Sequence, residues 1–227
     1  SIEDVAEKTA TTGALTGNCE AAARTNEWMM QNVETAREVT QGETKPRVLA
    51  PQGSGYVVAS GTFVDAVISA SGGQNVAAEN YSFYPQLSSE VILELDPEIL
   101  VLQPWMASTG FAQQEPYAST TAGQNNATVT IDANYLSQPA PRSVVYATKN
   151  MTRGFHPDAY ASAEWTAKSE VTLASETTTA TATETTTATE TDAKTTEQQT
   201  STDGPGFGIA AAVAALAGLS VLLTRRE

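Results

Sequence analysis

The chain of 227 residues carries 26 acidic and 12 basic side chains, which gives a formal net charge of −14. A surface that binds nucleic acid needs clustered lysine and arginine to release counterions from phosphates, so this balance argues against a nucleic-acid partner. The single cysteine, Cys19, and the single histidine, His156, exclude an internal disulfide framework, a cysteine-cluster metal site and a multi-histidine zinc site. The acid excess also suits a protein that stays soluble in strong salt.

The first 40 residues are predicted to be helical. Apolar side chains recur there at the spacing of one helix face, namely Cys19, Ala22, Met29, Val33 and Ala36. Asn18 stands where an N-cap is expected, and Lys45-Pro46 ends the helical pattern because proline disfavours helix in the residue before it.

From Arg47 onward, short apolar strands alternate with capped helices. Strands are predicted at 48–50, 99–102 and 129–131. A helix opens at a Thr62 to Asp65 capping box and ends at Gly72-Gly73, and a second is capped by Ser88 and ends at Asp96-Pro97. A last helix begins at Pro141 and runs to Met151. This alternation indicates an α/β fold with a parallel, doubly wound sheet.

In parallel sheets, ligands bind beyond the carboxyl ends of the strands, so the loops after Ala50, Leu102 and Ile131 are the first candidates for a site. Those loops are rich in aromatic residues, which are Tyr56, Tyr84, Trp105, Phe111 and Tyr135. Such rings either bind a flat or apolar ligand or fill the rim of the domain itself.

The last quarter of the chain differs from the rest. Residues 169–206 are mostly threonine, alanine and glutamate, which bury too little surface to fold, so a disordered stalk is predicted whose hydroxyls are available for O-glycosylation. Residues 207–223 form an apolar run just long enough for one transmembrane helix, and Arg225 and Arg226 would hold the extreme C-terminus in the cytoplasm. A buried core helix is the alternative. The chain therefore divides into helices at 1–45, an α/β lobe at 46–168, the stalk, and a membrane segment at 207–227.

Pro205, Gly206 and Phe207, followed by the apolar run and the two arginines, resemble the PGF-type C-terminal sorting signal of haloarchaeal surface proteins. The resemblance implies that a membrane transpeptidase-like enzyme removes the helix and that a lipid anchor replaces it. Outside the cell, the sequons at Asn80, Asn126 and Asn150 are available for N-glycosylation.

Residues 46–157 resemble the C-terminal lobe of the periplasmic-binding family that serves cobalamin, haem and iron-siderophore ABC importers. The segments that carry the resemblance occur in the family's order: 46–49 (PRVL), 59–63 (ASGTF), 72–77 (GGQNVA), 84–90 (YPQLSSE), 96–102 (DPEILVL) and 155–157 (FHP). The resemblance implies a Rossmann-like lobe that binds its ligand without catalysis and without a cofactor or metal of its own.

Residue roles follow from this resemblance. Tyr84 holds the place of an aromatic residue that packs on the ligand, and Tyr56, Val58, Trp105 and Tyr135 lie in or near other cleft-lining stretches. Glu90 holds the place of the acidic residue that pairs with arginines of the permease. From the sequence alone, Glu90 is otherwise a first-turn carboxylate favoured by the helix dipole.

The family closes two lobes on its ligand, and residues 1–40 resemble the helix that connects them. We therefore expect a surface-anchored binding component for a corrinoid or metal-chelate ligand, with permease and ATPase subunits as partners, that lacks its first lobe. The alternative is a structural surface glycoprotein whose lobe no longer binds. An enzyme has the least support, since no Ser-His-Asp arrangement, P-loop or Gly-x-Gly-x-x-Gly motif is present and no catalytic residue is assigned.

Overall fold

A computed structural model describes residues 1–173. The helices are α1 (Ile2–Thr16), α2 (Cys19–Val39), α3 (Phe63–Ala70), α4 (Ser89–Leu95), α5 (Pro104–Ser108), α6 (Thr121–Gln124), α7 (Ala133–Ser137), α8 (Pro141–Phe155) and α9 (Pro157–Ser162). The strands are β1 (Arg47–Leu49), β2 (Pro51–Gly53), β3 (Tyr56–Val57), β4 (Gln74–Asn75), β5 (Ile99–Leu102) and β6 (Thr128–Thr130). The predicted stalk beyond residue 173 and the predicted membrane segment lie outside the described residues.

Four strands form one parallel sheet in the order β4-β1-β5-β6. Successive side chains of β5 point to opposite faces of this sheet, and both faces are covered. Leu100 and Leu102 pack into a core with α4 and the 104–122 region, whereas Val101 packs into a second core with α3 and α8. The predicted α/β architecture with a parallel sheet and helices on both faces is confirmed.

The two outer strands of the sheet are short. On one side β4 has two residues, and the Asn75 side chain turns inward to donate hydrogen bonds to Asp65 Oδ1 at 2.9 Å and to the Val58 carbonyl at 3.3 Å. On the other side β6 has three residues, of which only Val129 is buried. Each outer strand of the sheet therefore exposes few backbone groups with which another strand could pair.

Capping at α3 and α4 follows the prediction. The Thr62 hydroxyl accepts a hydrogen bond from the Asp65 amide, and the Ser88 hydroxyl accepts one from the Val91 amide. Asp96 ends α4 in the left-handed conformation. Because Asp65 bonds to Asn75 instead of returning to the backbone of Thr62, the predicted capping box at α3 is only half formed.

The two N-terminal helices pack on α3 and α8. Ala22, Met29, Val33 and Ala36 are buried on one face of α2, as predicted. Cys19, which the pattern placed on the same face, is the first residue of α2 and is exposed. Asn18 precedes α2 but makes no capping bond, since its side-chain amide donates to Thr16 instead.

Several parts of the structure have no counterpart in the predicted elements. They include the short strand β4 and the short helices α5, α6, α7 and α9. They also include the antiparallel hairpin of β2 and β3, which follows β1 directly, and the segment 163–171, which crosses α2 and buries Val171. No helix within residues 1–173 has the length and apolar content to cross a membrane.

Candidate ligand-binding rim

Four exposed aromatic side chains lie in the segments that follow strands of the parallel sheet, Tyr56 in β3, Trp105 in α5, and Phe83 and Tyr84 in a loop. Tyr56 follows β1 and is 45% exposed, Phe83 and Tyr84 follow β4 and are 66% and 51% exposed, and Trp105 follows β5 and is 51% exposed. We call this set the aromatic rim. Most large apolar side chains elsewhere in the described chain are buried, so these four exposed rings are candidates for contact with a ligand.

Backbone hydrogen bonds fix the positions of Tyr56 and Tyr84. The loop that carries Tyr84 runs beside β3, so that the amide of Val57 donates to the Pro85 carbonyl at 3.0 Å and the amide of Leu87 donates to the Gly55 carbonyl at 2.9 Å. Gly55 has a φ of +80° and lies 2.9 Å, measured from an added Cβ, from the Leu87 carbonyl oxygen, so only glycine fits there. The two tyrosines therefore sit on a rigid ladder.

Phe83 was not predicted from the sequence, although it is the most exposed ring of the rim. Its amide donates to the Ser60 carbonyl at 2.8 Å, and its own carbonyl accepts from the Ala59 amide at 2.9 Å. These two bonds hold Phe83 at a φ of +61°, which is unusual for a bulky residue and costs about 1 kcal/mol or more. An exposed phenylalanine kept in a strained conformation by its neighbours is typical of a ligand-contacting position.

Trp105 is oriented by a chain of side-chain amides. Its indole Nε1 donates to Gln103 Oε1 at 3.1 Å, and Gln103 Nε2 donates in turn to Gln52 Oε1 at 3.4 Å. Gly53 lies under the edge of the ring, since an added Cβ there would be 3.7 Å from Trp105 Cη2. The amides place hydrogen-bonding groups next to the aromatic surface, as small-molecule sites require.

Two of the predicted binding residues, Tyr135 and Val58, do not belong to the aromatic rim. Tyr135 is half-buried and stacks on Tyr146 at 5.2 Å, beside a cavity of about 380 Å³ that is lined by Asn134, Gln138 and Arg142. Val58 is fully buried, so its side chain does not reach the rim. Val57 and Val58 are buried in two different cores, which leaves neither side chain at the rim.

Phe111, which the sequence also placed among the loop aromatics, packs against the ring of Tyr117 at 4.6 Å within the core below α5. It therefore fills the domain's own interior, and the alternative considered from the sequence applies to this ring.

Glu90 lies in the first turn of α4, three residues beyond the buried Leu87, and is fully exposed. A hydrogen bond from the Ser88 side chain, together with one from its own backbone amide, lowers the pKa of the Glu90 carboxyl. The group is therefore charged at neutral pH and accessible to a partner. Residues 48–141 contain eight carboxylates and no lysine or arginine, so this half of the lobe presents negative charge only.

Residues 2–135 match the family described as "Periplasmic binding protein", which is more than half of the chain. The chain is a member of the periplasmic binding protein family. This is a family of binding proteins and not of enzymes.

Among the relatives of this periplasmic binding protein is the "Cobalamin-binding protein" of Halobacterium salinarum. The two are 40% identical over 237 residues, which cover 99% of this chain and 59% of the relative. The "Vitamin B12-binding protein" of Vibrio cholerae is 29% identical over 87 residues, 38% of this chain and 32% of the relative. The chain thus spans about three-fifths of the length of its Halobacterium relative.

Solved structures share the fold of this periplasmic binding protein. The heme-binding protein RhuT of Roseiflexus sp. RS-1 superposes with a TM-score of 0.60 and 23% identity over 69% of this chain and 65% of that chain. The molybdate-binding protein MolA of Haemophilus influenzae superposes with a TM-score of 0.63 and 14% identity over 70% and 51%. At these identities the likeness establishes the fold and carries no information on the ligand.

The single histidine has a structural position in this periplasmic binding protein. His156 is buried at the end of α8, and its Nε2 lies 3.1 Å from the carbonyl oxygen of Gly72. Within residues 1–173, no group of three or more histidine, cysteine, aspartate or glutamate side chains is placed to hold a metal ion.

The three predicted sequons differ in environment. Asn80 and Asn126 are exposed at loop positions. Asn150 lies in the middle of α8, where its amide donates to the Tyr146 carbonyl at 2.7 Å and the sequon's Thr152 is fully buried.

Proposed function

We propose that this chain is the substrate-binding component of an ABC importer and that it binds a corrinoid or a related metal chelate at the aromatic rim. The observation that carries the proposal is the set of exposed rings at the carboxyl edge of the sheet, Tyr56, Phe83, Tyr84 and Trp105. The relative from Halobacterium salinarum, by its name a cobalamin-binding protein, supports a corrinoid as the ligand.

The chemistry of the rim suits a large, flat ligand. Corrin and porphyrin macrocycles present broad apolar faces with polar groups at their edges, and aromatic rings pack well against such faces. The Gln52 and Gln103 amides next to Trp105 are placed to hydrogen bond with groups at a ligand's edge. Because backbone hydrogen bonds already order the segments that carry Tyr56 and Tyr84, little backbone entropy would be lost on binding.

The rim contacts one side of a ligand only. The family resemblance implies that a second lobe closes over the other side, with α2 as the connecting helix. A ligand held on one face keeps half of its apolar surface in water, so we expect residues 1–227 alone to bind weakly and a protein that also supplies the facing lobe to bind tightly.

We further propose that Glu90 is a docking residue for the permease. It is exposed and charged, and it lies at the start of a helix directly after the loop that carries Tyr84. A carboxylate in this position is available to an arginine of a membrane partner without disturbing the lobe's own packing.

We also propose that the lobe is displayed on the cell surface. The stalk would separate the lobe from the membrane, and residues 207–223 or a lipid that replaces them through the Pro205, Gly206 and Phe207 signal would anchor it. The acidic composition is consistent with an extracellular, salt-rich environment.

Calorimetric titration of the chain with cyanocobalamin, haemin and a ferric hydroxamate siderophore tests the ligand proposal. We expect measurable binding of at least one of these chelates, and a loss of most of its heat in Tyr84→Ala. The matched control is Leu93→Ala, which removes an exposed apolar side chain on α4 away from the rim. Equal loss in both variants would contradict the placement of the site.

A structural surface glycoprotein is the alternative, and the exposure of Asn80 and Asn126 favours it as a glycan carrier. Mapping of glycopeptides from the native protein is expected to find sugar at these two sites and none at Asn150. Heavy occupancy at Asn80, together with no binding of any chelate, would favour the structural role, because Asn80 is only three residues from Phe83.

A further inference from the structure

The cavity beside Tyr135 contains hydrogen-bond donors and acceptors that have no partner among the described residues. It has a volume of about 380 Å³ and lies between the end of β6, the short helix α7 and the first turn of α8. We call it the β6–α8 cavity. Its polar lining residues are Asp132, Asn134, Gln138, Arg142 and Ser143.

The donors come from the first turn of α8. Pro141 occupies the start of this helix, no side chain caps it, and its first turn contains no acidic residue. The backbone amides of Arg142 and Ser143 have no acceptor in the part of the chain that the structure describes. The Arg142 guanidinium lies over the Tyr146 ring at 5.2 Å and forms no ion pair within residues 1–173.

Ser143 is the residue that indicates an occupant for this cavity. Its side chain is only 6% exposed and borders the cavity, and its hydroxyl forms no hydrogen bond with any described residue. Buried hydroxyls in folded proteins nearly always have a partner, because an unsatisfied hydroxyl has lost its hydrogen bonds to water. The partner of Ser143 is therefore a molecule that enters the cavity.

The acceptors come from the loop after β6. Asp132 Oδ1 accepts from the Asn134 amide at 2.8 Å and from Asn134 Nδ2 at 3.0 Å, so this oxygen caps α7. Asp132 Oδ2 accepts no hydrogen bond from the described residues, and neither does Gln138 Oε1, although Gln138 Nε2 donates to Asn134 Oδ1 at 3.1 Å. One cavity thus combines a free carboxylate oxygen with free N–H and O–H groups.

The β6–α8 cavity lies at the same edge of the sheet as the aromatic rim. Strands β5 and β6 are adjacent and parallel, and where they end the Ile131 amide donates to the Leu102 carbonyl at 2.9 Å. The next residues along the two chains are Asp132 and Gln103, and Gln103 orients Trp105. Because neighbouring strands lie about 4.8 Å apart, Asp132 and Gln103 leave the sheet side by side. A ligand that covers Trp105 can therefore extend an arm into the cavity.

We propose that the β6–α8 cavity binds a primary carboxamide arm at the edge of the ligand. A carboxamide carries both N–H donors and a carbonyl acceptor, so it can donate to Asp132 Oδ2 while it accepts from the Ser143 hydroxyl or a free amide of α8. A carboxylate has acceptors only and would be repelled by the charge of Asp132.

The cavity therefore favours a chelate with carboxamides at its periphery, as in corrinoids, over haem, whose edge carries carboxylates. This inference rests on the proposed function, because it requires that the ligand lies on the aromatic rim.

Two corrinoids that differ in their arms test this selectivity. Dicyanocobinamide carries carboxamide arms, whereas dicyanocobyrinic acid carries carboxylates on the same ring. Calorimetric titrations of the full chain are carried out in molar salt, where screening shortens to about 3 Å. The net charge of −14 then has little effect on either ligand, so the difference between them reports contacts inside the cavity.

We expect dicyanocobinamide to bind more tightly than dicyanocobyrinic acid, and Asp132→Asn to lower this preference about tenfold. Asparagine keeps the oxygen that caps α7 but removes the charge, so the bond to a carboxamide weakens and the repulsion of a carboxylate ends. Ser143→Ala should weaken the binding of dicyanocobinamide about threefold. Asp158→Asn, which removes an exposed carboxylate in the first turn of α9, is the matched control and should leave both Kd values unchanged.

Trp105→Ala separates the rim from the cavity, because it should weaken both corrinoids alike and leave the ratio of their Kd values unchanged. The inference is overturned, with the rim intact, by an equal preference in Asp132→Asn and the unmodified chain, or by tighter binding of dicyanocobyrinic acid to the unmodified chain. An equal change of the ratio in Asp158→Asn would also overturn it, since overall charge would then be the cause. Binding of haemin or a siderophore without binding of either corrinoid has the same consequence, and binding of no chelate at all contradicts the rim as well.

Discussion

Replacement of Trp105 is the most direct test of whether the aromatic rim binds the ligand. A tryptophan side chain buries about 150–250 Å² when fully covered, and Trp105 leaves 51% of its surface exposed, so about 100 Å² is available to a ligand. At about 25 cal/mol per Å², covering this area contributes at most about 2.5 kcal/mol. A ligand that contacts one face of the ring would gain about 1–2 kcal/mol, so we expect Trp105→Ala to raise the Kd about 5- to 30-fold.

The assay is calorimetric titration with the chelate that binds the unmodified chain. Because about half of Trp105 is buried against the lobe, its removal should lower the free energy of unfolding by about 2 kcal/mol. Urea denaturation verifies that the variant is still folded under the conditions of the titration. Leu93→Ala, which also removes an exposed apolar side chain, should leave the Kd unchanged. A Kd within twofold of the unmodified value for Trp105→Ala would refute the assignment of the rim as the binding surface.

Three further predictions concern docking, pH and packing. Glu90→Arg should abolish uptake by cells that express the whole importer while the Kd for ligand stays the same; normal uptake would exclude the docking role. Burial raises the pKa of Tyr117 to about 12, so the unfolded state loses this proton first as the pH passes 10, and the free energy of unfolding should fall between pH 10 and 12. In urea melts at pH 9 and 11.5, Tyr117→Phe should show a smaller fall in the free energy of unfolding than the unmodified chain. An equal fall in both proteins would contradict this prediction. Gly154→Ala should destabilise the lobe by about 2 kcal/mol or more despite alanine's better helix propensity, because an added Cβ would lie 2.3 Å from Val129 Cγ2. A rise in the urea midpoint would contradict this prediction and would show that β6 can shift to make room for the methyl group.

Elements with strong local signals could be predicted from the sequence. Thr62 and Ser88 cap the helices that they were expected to cap, and the apolar run at 99–102 forms the buried central strand. These features depend on neighbouring residues, which the sequence displays directly. The parallel topology follows from them because helices separate the strands.

Features that depend on distant partners could not be predicted from the sequence. Bonds to Ser60 and Ala59 hold the backbone of the exposed Phe83, and Val58 is buried in a core with residues of α3 and α8. The 163–171 segment carries no periodic pattern, and its position is set by donors on α2 that precede it by more than 130 residues. The proposed docking role of Glu90 depends on a partner outside the chain.

The short outer strands of the sheet affect the tendency of the protein to self-associate at high concentration. A strand at a sheet edge is a template for another chain, and long flat edges favour fibrils. Here β4 offers two residues and turns the Asn75 side chain inward, and β6 offers three. Neighbouring copies at high concentration would find little open backbone to pair with at either side of this sheet, so edge-to-edge pairing of lobes is disfavoured.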